Sequence, residues 1–390
     1  MRGFKRADGR IGIRNHIAIM YTVECAHHVA DSIARKVPEA EVFGFAGCYG
    51  DPYAFRMMVE LGRHPNVAGV LIVRLGCEST DVDNLVRQIK LSGKPVEFLS
   101  IQETGGTIST IQRGCMLAAS MAEQGLAAQR VEISLHDLII GIECGGSDAT
   151  SGLTANPATG WATDRFIEQG GTAIFSELPE LLGCGDVLME RTHTEAVAHQ
   201  LKQGLWRAQD LGNKIKTFAV STGNEAGGLT TIEEKSMGAL CKVGTKPIRG
   251  IVKTAEKPDG QGLYLLDKVG LTDSNQLTIY EENDNDGLIT LLASGAHMLL
   301  FTTGRGSVVG SVVAPVLKIC GNPTTCRTMA DNIDIHADGI LTGTESVEQV
   351  GQRILALISA VADGQLTKAE QLGHKEYHIP YKPGRACDVM

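Results

Sequence analysis

Aromatic residues are scarce in this chain. Phe, Trp and Tyr together make up 5% of its 390 residues, with two tryptophans. A core short of large rings has to be filled by Val, Ile, Leu and Ala, which suits strands and helices packed in layers. No apolar run approaches the roughly 18 residues that mark a membrane-spanning helix, so no membrane is expected. Basic runs are missing too, and the formal net charge is −9, which argues against nucleic acid as a partner. The N-terminus, MRGFKRADGR, has no apolar stretch of the kind a secretory signal needs, so the cytoplasm is the expected compartment. There is no CxxC pair and no zinc-finger spacing among the ten cysteines, which are expected to stay reduced. Neither the dinucleotide fingerprint nor the GxxxxGK[ST] phosphate loop occurs; the nearest string, TTGRGSVVG, spaces its glycines as GxGxxxG.

Glycine, by contrast, is abundant, at 46 residues. It punctuates an alternation of short apolar runs with amphipathic stretches. IAIMYTV (17–23), EVFGFA (41–46), GVLIVRL (69–75) and VEFLSI (96–101) read as strands, with helical segments between them and a longer helix near 107–124. After a polar break near 125–136 the alternation resumes. Strands are expected at the start of IIGIECGGSDATSGLTANP (139–157), in TAIFSELPE, in IRGIVKTAE and in AHMLLFTT. Residues 185–209 are expected to be helical, with an amphipathic helix from Val347 to Asp363. The fold class is therefore α/β: parallel sheets flanked by helices in two α/β domains, 1–130 and 131–390, with the site at the carboxyl ends of the strands.

Four of those strands hand over to a cysteine, at Cys25, Cys48, Cys77 and Cys144. The string after the 139 strand is the richest: Glu143, Cys144, two glycines, Ser147 and Asp148 fall within six residues. A loop that only turns needs no such set. TTGRGS places Thr303, Arg305 and Ser307 on a Gly-rich turn suited to an oxyanion. GNEAGGLTTIEEKSMG brings Asn224 and a helix start with Lys235. Arg14 and Asn15 precede the first strand and could hold a carboxylate. EENDNDG (281–287) reads either as a cation loop or, in preference, as a solvated loop. The cysteines admit two metal readings, a cluster with one open iron or a single Fe(II) among carboxylates and imidazoles. His16, His27, His28 and His297 carry no pattern that singles out a base.

The strings DGRIGIRN, HPNVAGVLIVRLGCE, ECGGSDATSGLTANPATG, GNEAGGLTTIEEKSMG and FTTGRGS resemble, in order and over almost the whole chain, the altronate/galactarate dehydratase family. The resemblance implies an iron-dependent lyase that performs β-elimination on 2-hydroxy acids. Single-chain sugar-acid members carry an additional small N-terminal domain, whereas this chain starts at the large part. A large subunit working with a small separate partner is therefore implied. Sugar-acid members also have a His-containing stretch before the second-strand Cys, where this chain reads FGFAGCYGDPY. That makes (2R)-sulfolactate, giving pyruvate and sulfite, the lead substrate, with altronate the alternative. A non-catalytic regulatory subunit is the alternative of another class. On this reading Asp148, Lys235 and Glu143 are catalytic. Arg14, Asn15, Ser147, Thr303, Arg305 and Ser307 hold the small anionic substrate, and Cys48, Cys77 and Cys144 line an iron, Fe(2+), region.

Overall fold

The computed structural model describes residues 1–126, 128–215, 222–271, 277–279, 283–377 and 379. The chain divides into two compact units, one built on Gly3–Val131 and the other on Glu132–Ile279 and Asn283–Glu376. The fold is α/β. Among the described residues no helix is long and apolar enough to cross a membrane.

The first unit holds a four-stranded parallel sheet. Its strands are β1 (His16–Tyr21), β2 (Ala40–Gly44), β3 (Val67–Arg74) and β4 (Val96–Ser100), in the order β2-β1-β3-β4. Both faces are covered, which is why the strands read as near-continuous apolar runs. Ile17, Ile19, Leu71, Val73 and Leu99 point to one side. There they pack with Val29, Ala30 and Ile33 of α1 (Glu24–Ala34) and with Ala118 and Met121 of the helix Thr107–Leu126. Ala18, Met20, Val70 and Ile72 are equally buried on the other side, under α2 (Pro52–Gly62) and α3 (Val82–Lys90). Asp51 and Asp81 start these two helices, each accepting from backbone N–H groups of the first turn.

The second unit is organised around seven parallel strands: β5 (Ile139–Cys144), β6 (Thr172–Phe175), β7 (Ile248–Lys253), β8 (Gly262–Asp267), β9 (Met298–Thr303), β10 (Val316–Cys320) and β11 (Ile335–His336). Their order is β7-β8-β6-β5-β9-β10-β11. Three of them, β8, β10 and β11, are additional to the strands read from the sequence. The helical stretch expected over 185–209 is present as two helices, Gly185–Glu190 and Glu195–Ile215, separated at Arg191–Thr194. The strand in TAIFSELPE stops at Phe175, because Glu177 adopts a left-handed φ of 70° and Pro179 follows. The run at 281–287 is not a solvated loop. Glu281 and Glu282 lie outside the described residues. Asn283 caps the helix Asp284–Ala293, accepting from Asn285 N–H at 3.0 Å, and Asn285 and Asp286 are buried in its first turn. Register sets the functional edge: Cys144 pairs with Thr302, Thr303 with Cys320, and Cys320 with His336. One row of strand ends thus carries side chains of β5, β9, β10 and β11.

Candidate active site

Successive side chains of a strand point to opposite faces, so Glu143 and Cys144 at the end of β5 enter different surroundings. Glu143 turns into the buried interior, where Ser176 donates to its carboxylate and the Lys268 ammonium lies 3.6 Å away. Cys144 opens onto a cavity of about 350 Å³, lined also by Ser147, Asp148, Ser151, Asn156, Leu229, Glu234, Lys235 and Met237.

Lys235 is the centre of that cavity wall. Thr231 caps its helix (Ile232–Cys241), accepting from Glu234 N–H at 3.2 Å, and Glu234 bonds back to Thr230. This start aims Lys235 inward. Its side chain is 3% exposed, and its Nζ lies 2.8 Å from Ser147 Oγ, 3.1 Å from Glu180 Oε2 and 3.4 Å from Cys144 Sγ. Burial opposes the ammonium form, but the adjacent Cys144 and Glu180 outweigh it and raise its pKa above the ordinary lysine value. The group is therefore a permanent cation at neutral pH.

Around Cys144 the anionic groups crowd. Glu177 Oε1 sits 2.8 Å from the sulfur and accepts the Cys144 backbone N–H at 2.9 Å. The other oxygen of Glu177 pairs with the buried Lys242 ammonium. Glu180 Oε2 is 3.6 Å from the sulfur. The left-handed backbone at Glu177 costs on the order of 1 kcal/mol or more, and these contacts hold it in place. Asp284, at the first turn of its helix, is pushed up to about 6 by burial and then by the charges of Glu143 and Glu180. Four carboxylates and a thiol thus face three ammonium groups, Lys235, Lys242 and Lys268.

The loop after β5 is fixed from three directions. Gly146 O accepts the N–H groups of Gly304 and Arg305, at 2.9 and 3.0 Å, and the Thr303 hydroxyl at 3.1 Å. Ser147 N–H donates to Asn224 Oδ1 at 2.8 Å. Asp148 Oδ1 accepts from the backbone and hydroxyl groups of Thr150 and Ser151, while Oδ2 accepts from Asn322 Nδ2 at 2.6 Å. Its carboxylate is spent on holding the loop. Two glycines make the approach feasible: a Cβ at Gly304 would fall 2.2 Å from the Asp148 carboxylate, and one at Gly227 2.7 Å from Ser147 O.

The structure therefore brings Glu143, Cys144, Ser147, Asp148, Lys235 and Thr303 into one region of the second unit. Arg305 is exposed beside Gly146, its stem against that glycine, and Ser307 accepts from Val309 N–H at 3.1 Å. Arg14 and Asn15 lie in the first unit at the amino end of β1. There Arg6 donates to Asn15 Oδ1 and to Arg14 O, and Arg14 donates to Ile13 O. The opposite edge of the same sheet carries Cys25, Cys48 and Cys77, all exposed. The loops of the latter two are joined by Ser79 N–H donating to Cys48 O at 2.9 Å. Two groups of three His, Cys, Asp or Glu donors within 4.8 Å of one another occur among the described residues: Cys144, Glu177 and Glu180, and Cys326, His336 and Asp338. Cys48 and Cys77 belong to neither. Glu177, Glu180, Lys242, Lys268 and Asp284 were missed in the sequence. Glu177 lies two residues past the end of β6, so a search extended just beyond the strand ends could have found it. The buried lysines carry no local signal.

The match to known proteins spans both units. Residues 3–125 match the family model described as D-galactarate dehydratase/altronate hydrolase, second domain, and residues 135–385 the one described as D-galactarate/altronate dehydratase, C-terminal. The chain is 32% identical to the (2R)-sulfolactate sulfo-lyase subunit beta of Chromohalobacter salexigens, over 96% of this chain and 95% of that protein. It is 32% identical to the altronate dehydratase of Bacillus subtilis, over 98% of this chain and 78% of that enzyme. It is 28% identical to the galactarate dehydratase (L-threo-forming) of Escherichia coli, over 93% and 72%. The chain belongs to the D-galactarate/altronate dehydratase family.

Proposed function

We propose that this chain is the large subunit of an iron-dependent lyase that performs β-elimination on a small anionic 2-hydroxy acid, with (2R)-sulfolactate the lead substrate and altronate the alternative. Family membership supports the reaction class. The sulfo-lyase beta subunit supports the lead and the small partner, since the match there covers 95% of the relative. The observation that carries the reading is the buried Lys235 ammonium between Cys144, Ser147 and Glu180 on a cavity wall.

The donor set fits a divalent first-row ion. Thiolate and carboxylate together suit Fe(II) better than Mg(II) or Ca(II), and the surplus of acids over ammonium groups leaves a cation's charge to be supplied. Cys144, Glu177 and Glu180 would hold the iron, which when bound polarises a substrate oxygen. The protein's own part is electrostatic. When a base takes the C2 proton, the C–H electron pair builds negative charge on C2 and the substrate carboxylate. A fixed, buried ammonium on the cavity wall stabilises that charge without reorganising. Ser147, held by Lys235 and by Asn224 through its N–H, presents a hydroxyl to the same oxygen. The C3–S bond then breaks with its electrons, sulfite leaves, and the enol becomes pyruvate. With altronate the leaving group is hydroxide and needs a proton, so more acid assistance is required.

The test is to co-express the chain with its small partner, load Fe(II) anaerobically and offer the two acids separately. Sulfite and pyruvate from sulfolactate are expected. A 2-keto-3-deoxy acid from altronate without sulfite would move the chain to the alternative, and no product from either would contradict the reading. Iron per chain should fall in Cys144→Ser and hold in Cys48→Ser and Cys77→Ser.

A further inference from the structure

We propose that the outer edge of the seven-stranded sheet holds a second divalent transition-metal site, formed by Cys326, His336 and Asp338 and selecting zinc. It is independent of the reading of the Lys235 cavity. The three side chains come from the short helix Pro323–Thr328, from the end of β11 and from the residue two beyond it. Their ligand atoms all lie within 4.8 Å of one another. The ligands of a tetrahedral zinc ion stand roughly 3.3–3.8 Å apart, given metal–ligand bonds of about 2.0–2.3 Å, so a small closure completes the site. The Cys326 thiol donates to the Cys320 carbonyl oxygen at 3.3 Å, which fixes the sulfur beside the end of β10.

The donor types decide the ion. A thiolate with an imidazole and one carboxylate favours zinc, and hard cations such as Mg(II) or Ca(II) would take oxygen ligands instead. Burial fits a structural role: Cys326 is 2% exposed, while His336 and Asp338 are half-buried at the rim. The fold also has a use for a clasp here. Strand β11 is two residues long and pairs with β10 through Ile319 with Ile335 and Cys320 with His336, with Asp334 and Ala337 N–H donating to Lys318 O and Cys320 O on either side. The segment that carries Cys326 buttresses the cavity loops, because Asn322 donates to Asp148 and Thr325 donates to Gly304 O at 2.8 Å. A metal joining Cys326 to His336 would lock this segment to the edge strand.

Cobalt(II) is the probe, since thiolate ligation gives it an intense near-ultraviolet charge-transfer band. The full chain is stripped with chelator and titrated anaerobically, in a Cys144→Ser background that removes the thiol of the other three-donor group. The expected result is one tight Co(II) per chain with the band. Cys326→Ala should abolish it, and Asp338→Asn, a half-buried change that spares the fold, should weaken Co(II) binding at least tenfold. Zinc should raise the melting temperature of the Cys144→Ser chain and leave Cys326→Ala unmoved. An unchanged band in Cys326→Ala, unchanged affinity in Asp338→Asn, or no band in the Cys144→Ser chain would overturn the site.

Discussion

At the carboxyl edge of the four-stranded sheet the thiols of Cys25, Cys48 and Cys77 are exposed. The carboxylate that knits its loops, Glu78, accepts from Thr22 Oγ1 at 2.6 Å and from the N–H groups of Leu75 and Gly76. At the matching edge of the seven-stranded sheet, charges are buried in quantity, and Glu177 meets a buried ammonium as well as the Cys144 N–H. The same βα architecture thus supports two kinds of strand end. One is closed by ordinary hydrogen bonds. The other carries fixed acid–ammonium pairs and one acid more than its cations, which fold stability alone does not require and which burial makes costly.

That contrast can be broken by mutation, and the largest stability effect belongs to Glu177. Glu177→Gln leaves Lys242 buried without its counter-charge, and about 3–5 kcal/mol should be lost in denaturant melts. Lys318 offers the reverse case. It is fully buried on β10, its Nζ has no hydrogen-bond partner among the described residues, and burial lowers its pKa to about 8. Between pH 8 and 10.5 the unfolded chain binds one more proton there than the folded one, so wild-type stability rises with pH. Lys318→Met should therefore gain about 2–3 kcal/mol at pH 7, a gain that shrinks toward pH 10.5.

Asp284 and Glu78 titrate with opposite signs. With Asp284 at about 6, the folded state of the metal-free protein holds the extra proton between pH 3.8 and 6. Stability from this group is present in acid and lost as pH climbs through that window. Asp284→Asn should be more stable than wild type by about 1–3 kcal/mol at pH 7 and no different below pH 3.8. Burial works to raise Glu78, but its hydrogen bonds prevail and hold it below the usual glutamate value. Its contribution is present at neutral pH and fades in acid, and Glu78→Gln should cost about 1–2 kcal/mol at pH 7. Thermal melts across pH check both.

Much of the first unit was legible because each of its strands is an apolar run ended by glycine or a polar cluster. In the second unit VLKIC escaped notice because Lys318 interrupts the run, and GLYLLD because it follows the Gly- and Asp-rich turn KPDGQ and ends in Asp267. Ile335–His336 is too short to show periodicity. In the site, Cys144, Ser147 and Lys235 stood out as polar groups at a strand end and a helix start. Glu177 and Lys242 did not, because their pairing spans 65 residues and depends on tertiary packing. Asp284 was hidden in an acidic run whose burial comes from the helix it begins. Asp148 looked reactive, yet its acceptors are filled by Thr150, Ser151 and Asn322.

The central claim is that the Lys235 ammonium stabilises the charge that elimination creates. The measurement that tests it most directly is kcat for sulfite release from sulfolactate in Lys235→Met and Lys235→Arg, on the proposed two-subunit, iron-loaded form matched in metal content and melting temperature. The account predicts a loss of roughly 10²–10³-fold in kcat for Lys235→Met, with partial recovery in Lys235→Arg. A Lys235→Met enzyme within threefold of wild type would contradict it.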